Sequence, residues 1–334
     1  MSHLVIAPLL LPLLTGIILI VLRGSATPLR RLVSITASLG LVGIAVALLL
    51  QVSDGQVHVY RLGGWSAPFG IVLAADRLAA VMVLITAILA ASVLMHTARG
   101  TDQSGRYFHV LFQLQLFGLN GAFLTGDLFN LFVFFEVLLI ASYGLLLLGG
   151  GRERTRAGLH YVVLNLIGST LFLFAVGSLY GVLGTLNMAD LAARLADLAP
   201  EDLGVVRAAG LLLFAVFGLK AALAPLHLWL PGAYGHTSAP VAAMFAIMTK
   251  VGAYAIIRVH TVSFGPGLGA TEDLAATWLF PAGIVTIAIG AFGVLGARRL
   301  MPLIAFSVVG SMGTLLIAVS AFSTDAMTAA LYYI

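Results

Sequence analysis

The sequence predicts an all-α, polytopic membrane helix bundle, and three observations carry that prediction. Hydrophobic residues make up 61% of the 334-residue chain and charged residues only 9%. With a mean hydropathy of +1.10, this is more apolar surface than one water-soluble core can hide. Apolar runs of about 17–23 residues, long enough to cross ~30 Å of hydrocarbon, recur along the whole chain. Arginines, finally, concentrate in alternate connections between those runs.

The first run, near 4–22, has no basic residue ahead of it and Arg23, Arg30 and Arg31 behind it. That is the wrong polarity for a cleaved signal peptide, so it reads as a retained span with its N-terminus outside. Runs near 32–50 and 78–96 complete an N-terminal group, 1–107. Further runs lie near 108–124, 128–148, 161–183, 208–224 and 241–259, then 277–295 and 301–322, and an eleventh starts at Ala326 and is cut off at Ile334. The arginines of 23–31, 99–106, 152–156 and 298–299 then share one side, the cytoplasm by the positive-inside rule of a plasma (inner) membrane. The opposite connections hold Asp54, Asp127, Asp190, Asp197, Glu201, Asp202, Glu272, Asp273 and Asp325. Between 187 and 207, Leu191, Leu195, Leu198 and Leu203 sit among charges, which predicts one amphipathic segment along the outer surface. The 37 glycines point to close helix packing.

Composition excludes several functions. With no cysteine the chain carries no disulfide, iron–sulfur cluster or thiolate metal site, so redox chemistry would sit on a partner. The net charge of +4 comes from scattered arginines and forms no patch for nucleic acid. No cofactor or resident metal is expected. No two histidines share mid-membrane depth for haem, and no cluster of buried oxygen ligands suits a hard cation.

The chemistry concentrates in three residues. The chain has two lysines, Lys220 and Lys250, and both fall inside apolar runs while the surface cations are arginines. Counting ~1.5 Å per residue puts both near mid-bilayer, with Glu136 at roughly 12 Å. Each charge there costs about 2.5–3.5 kcal/mol on insertion scales, so these groups must face one another, water or the bundle interior. Glu136 and Lys220 are expected to face each other. One reading is an ion pair that only fixes packing. The other is a switchable proton site, since burial and a nearby carboxylate push a lysine's proton affinity in opposite directions. Arginine cannot play that part, because its pKa stays above about 12.

Pro225 and Pro231 bracket the short piece 226–230, and Pro225 removes the helical bond to the carbonyl of Ala221 just past Lys220. The span is expected to break there, as transporter helices do at ion sites, although an ordinary kink is the alternative. His227 and His236 flank the break; a proton relay and a hydrogen-bonded structural role both stay open. His96, His109, His160 and His260 fall near helix ends, where headgroup-level placement is expected. Asp127 reads as an N-cap for the fifth span, with ion access the lesser alternative.

Two stretches then carry a resemblance: GDLFNLFVFFEVLLIASYGL from Gly126, and FGLKAALAPLHLWLPGAYGHTSAPVAAMFAIMTKVGAYAIIRV from Phe217. They resemble the antiporter-type subunits of respiratory complex I (NADH:quinone oxidoreductase) and of Mrp monovalent cation/proton antiporters, most of all the D-type subunit of the Mrp antiporters. The resemblance implies that Glu136 is the fifth-helix glutamate, Lys220 the lysine of a broken seventh helix and Lys250 the eighth-helix lysine of a lateral proton path. His236 would fall in the polar loop after the break. It also implies two inverted five-helix repeats, the first over 108–263 and the second begun in 264–334, a longer intact product, and other membrane subunits as partners. The implied function is a proton-translocating subunit of a sodium/proton antiporter, a transporter rather than an enzyme. A pumping subunit of complex I or of a membrane-bound hydrogenase is the alternative.

Overall fold

In the computed structural model, which describes residues 3–265, 271 and 274–334, the chain is almost entirely helical and resolves into two compact units. Glu272 and Asp273 lie outside the described residues. The first unit comprises Met1–Thr155 with Thr237–Phe245, and the second Arg156–His236 with Ala246–Ile334.

In the first unit the apolar runs become α1 (Ala7–Val21), α2 (Thr27–Gln51), α3 (Arg77–Thr97), α4 (Phe108–Leu124) and α5 (Leu128–Leu147). Side-chain oxygens cap two of these starts: Asp76 accepts from the Ala79 N–H at 2.9 Å and Asp127 from the Asn130 N–H at 2.8 Å. The capping role read for Asp127 is therefore the one its geometry takes. Glycine lets α4 and α5 approach closely: a Cβ at Gly118 would run into the Leu138 backbone, and one at Gly121 into the Phe134 ring. Arginines tie the loops at one end together, Arg30 donating to the Arg106 carbonyl and Arg106 to that of Arg23. At the other end β1 (His58–Arg61) pairs antiparallel with β2 (Val72–Ala75), and Val72 accepts from the Gly126 N–H. The sequence reading did not anticipate this hairpin.

The second unit holds α6 (Arg152–Leu183, from Arg156 onward), α7 (Met188–Ala196), α8 (Leu203–Lys220), α9 (Trp229–His236), α10 (Ala239–Val262, from Ala246 onward), α11 (Ala276–Gly296), α12 (Leu300–Ser320) and α13 (Thr324–Tyr333). The expected amphipathic segment is shorter than 187–207. Only α7 fits it, burying Met188, Leu191 and Leu195, while Leu203 already opens the next span. Helices α11 and α12 pack glycine to glycine, Gly290 against Gly310.

Among the described residues nine helices are long and apolar enough to cross a membrane, with α4 a shorter apolar helix beside them. Large apolar side chains stay exposed along them, such as Leu166 and Phe174 on α6 or Phe292 and Leu295 on α11. An aqueous fold hides such residues; hydrocarbon solvates them.

Candidate functional site

Helix α8 ends at Lys220, five residues before Pro225 rather than at the proline. The chain turns through 221–225, with Ala222 at a φ of 55°, and restarts as a 3-10 turn over Leu226–Leu228 that runs into α9. Pro231 interrupts nothing: it sits in the first turn of α9, where a missing N–H costs little.

The end of a helix strands carbonyls and the start strands N–H groups, which is expensive away from water. Here side chains and turns meet part of that need. The Leu219 carbonyl accepts from the Trp229 indole at 2.8 Å and that of Gly218 from the Leu223 N–H at 2.8 Å. The Ala224 N–H donates to Thr286 Oγ1 on α11 at 2.9 Å. The interruption is thus a built feature, braced from outside its own helix.

Lys220 is 4% exposed. Its Nζ donates to Asn165 Oδ1 at 3.1 Å and lies 3.4 Å from the Asn165 carbonyl oxygen on α6. Asn165 is itself buried and anchored, its amide donating to the Tyr161 carbonyl at 2.9 Å. One turn further on, a Cβ at Gly168 would run into the Leu219 side chain, so the glycine lets α8 pack closely on α6 beside the Lys220 head. Sequence reasoning missed Asn165; the signal available was an amide inside an otherwise apolar run.

Lys250 is half-buried on α10. Two residues on, Gly252 meets the backbone of Lys220 and Ala221, which brings the two lysine-bearing segments together. His227 is buried within the 3-10 turn, and its Nδ1 has no hydrogen-bond partner among the described residues. His236 ends α9, exposed, with its Nδ1 2.9 Å from the Gly232 carbonyl. Glu136 is half-buried on α5 and belongs to the first unit, while the lysines belong to the second, so its pairing with Lys220 stays a proposal. Among the described residues no group of three or more His, Asp or Glu could hold a metal ion.

Two of the histidines expected at headgroup level are instead buried in protein. His109 meets Asp102 at 3.2 Å, and His260 lies against the tilted ring of Phe264 with Phe214 edge-on. His96 and His160 are exposed.

The fold and this interrupted helix define a polytopic membrane protein with a buried lysine at a helix break. Residues 125–334 match the transmembrane family described as NADH:quinone oxidoreductase/Mrp antiporter. The chain belongs to that family. It is 44% identical to the D subunit of a probable K(+)/H(+) antiporter of Rhizobium meliloti, covering 100% of this chain and 63% of that protein. It is 39% identical to the D subunit of the Na(+)/H(+) antiporter of Bacillus subtilis, over 100% and 67% respectively. The structure resembles a chain of the Mrp complex from Dietzia sp. with a TM-score of 0.88 at 33% identity, covering 100% of this chain and 62% of that one. The chain thus spans roughly two thirds of the length of these relatives.

Proposed function

We propose that the chain is the proton-translocating membrane subunit of a multisubunit monovalent cation/proton antiporter, exchanging sodium or potassium, with other membrane subunits as partners and no cofactor of its own. Its spans would sit in the plasma membrane with the N-terminus outside, and its helices would form a first five-helix repeat over 108–263 and part of a second in 264–334. The observation that carries the reading is Lys220, buried at an interrupted span and held by a neutral amide.

A carboxylate at that point would favour the ammonium strongly and keep its proton. An amide oxygen holds Nζ in place whether the amine is charged or neutral, because a neutral amine still donates. Lys220 can therefore give its proton to water at the break and take another without losing its position. In the proposed relay Glu136 biases the charge of the path and Lys250 receives the proton. His227 and His236 link the break to its surroundings, and the interruption between Lys220 and Pro225 supplies polar backbone along the way.

Lys220→Ala and Lys220→Arg are both expected to abolish antiport in everted vesicles carrying the full-length complex, because arginine keeps the charge and cannot release it. Normal antiport by a well-assembled Lys220→Arg complex overturns the relay. The family also includes NADH:quinone oxidoreductase subunits, and that favours a second reading, in which the same residues pump protons driven by electron transfer in a partner. Vesicles that exchange cations and protons with no electron donor present exclude it.

A further inference from the structure

In the first unit a cavity of about 260 Å³ lies between the starts of α2 and α4, with Thr27, Arg30, Asp102, Arg106 and His109 in its wall. Neither helix start has a side-chain cap, so the positive ends of both helix dipoles border the cavity without an acid of their own. Asp102 contributes no net negative charge, because Arg31 binds it in a two-pronged pair, Nε to Oδ2 at 2.6 Å and Nη2 to Oδ1 at 2.7 Å. The guanidiniums of Arg30 and Arg106 remain unmatched by any carboxylate in the wall.

Both are held in position. Arg30 donates to the Arg106 carbonyl at 3.0 Å and to Thr27 Oγ1 at 3.1 Å, and Arg106 donates to the Arg23 carbonyl at 3.2 Å. Two polar atoms are then left over. Among the described residues Arg30 Nε is buried without a partner, and so is Nδ1 of His109, a residue only 4% exposed. Such orphans are costly in a folded protein and mark where a ligand belongs. With its Nε2–H donated to the Asp102 carboxylate, a neutral His109 presents a lone pair at Nδ1, which accepts from an O–H.

We infer that this cavity binds a phosphate group, from an anionic phospholipid headgroup or from free phosphate. Two fixed arginines and two helix ends match the oxyanion charge. His109 Nδ1 matches a P–OH or a headgroup hydroxyl. The volume falls below the about 300–1,000 Å³ of pockets for drug-sized ligands, which suits a small anion or headgroup. The cavity lies among the arginine-bearing helix ends, the level at which basic pockets between spans meet lipid headgroups.

The test is native mass spectrometry of the full chain released from detergent, titrated separately with phosphatidylglycerol, phosphatidylcholine and inorganic phosphate. Phosphatidylglycerol or phosphate is expected to bind more tightly than phosphatidylcholine, and the Arg30→Gln/Arg106→Gln double variant about 30-fold more weakly than the parent. Thr27→Glu puts an acid at a helix start, which favours folding, and places a carboxylate beside Arg30, so it is expected to abolish binding at an unchanged melting temperature. Arg99→Gln, outside the cavity, is expected to bind as the parent does. Preference for phosphatidylglycerol with no phosphate binding identifies the lipid as source, and binding of phosphate alone identifies the free anion. Equal binding of all three probes, or parental binding by a folded Thr27→Glu chain, overturns the site.

Discussion

Lys220 Nζ donates to Asn165 Oδ1 at 3.1 Å, joining the last residue of α8 to the middle of α6. Replacing the amide by a hydrocarbon of similar size leaves a buried amine with less to bind. Asn165→Leu is expected to lower stability by about 1–3 kcal/mol and to depress transport, whereas Asn165→Asp keeps the melting temperature but slows transport by retaining the proton. Thermal melts and dye-quench transport in vesicles read the two effects separately. An Asn165→Leu chain that melts and transports as the parent would remove the amide from the mechanism.

The brace across the break makes a second expectation. Thr286→Val deletes the hydroxyl bonded to the Ala224 N–H while keeping the side-chain volume. The stranded donor is expected to cost about 1–3 kcal/mol, and hydrogen exchange should speed up at 221–225 before it does elsewhere. Unchanged exchange at those amides would show that water takes the place of the hydroxyl at no cost.

Asp102 gives a pH dependence. Burial works against its charge, but hydrogen bonds from Arg31 and His109 outweigh that and hold the carboxyl below the usual carboxylate range. A carboxyl depressed on folding adds stability that is complete above its unfolded value, about 3.9, and that is lost as pH falls through the folded value. The parent is therefore expected to lose stability below about pH 4. Asp102→Asn should start less stable near neutrality and show a flatter acid limb. Parallel acid limbs in melts of the two chains would contradict this.

Orientation is open to direct labelling, since the chain contains no cysteine. A single cysteine introduced as Arg152→Cys is expected to resist an impermeant maleimide added to intact cells and to react in inverted vesicles. Labelling from outside would reverse the topology.

The spans were legible because hydrocarbon demands long apolar runs whatever packs beside them: 128–148 became Leu128–Leu147 and 277–295 became Ala276–Gly296. The end of α8 was read less well. Proline marks where a helix cannot continue, but here the turn through Ala222 and the bonds to Gly218 and Leu219 stop it at Lys220. Partners were least legible of all. Nothing local to Asn165 or Thr286 says that Lys220 lies 55 residues away against one, or Ala224 62 residues away against the other. His109 looked interfacial because it lies near a helix end, and only the fold supplies the acid it pairs with.

Gly252 abuts the Lys220–Ala221 peptide with no side chain between them. Main chain against main chain acts as a datum from which both amines are measured. Their vertical offset is then set by the path of the chain, before either side chain selects a rotamer. In the proposed relay the remaining gap can be varied only by the swing of two four-carbon stems. That is a reach a lysine has, and one a histidine or aspartate in its place lacks.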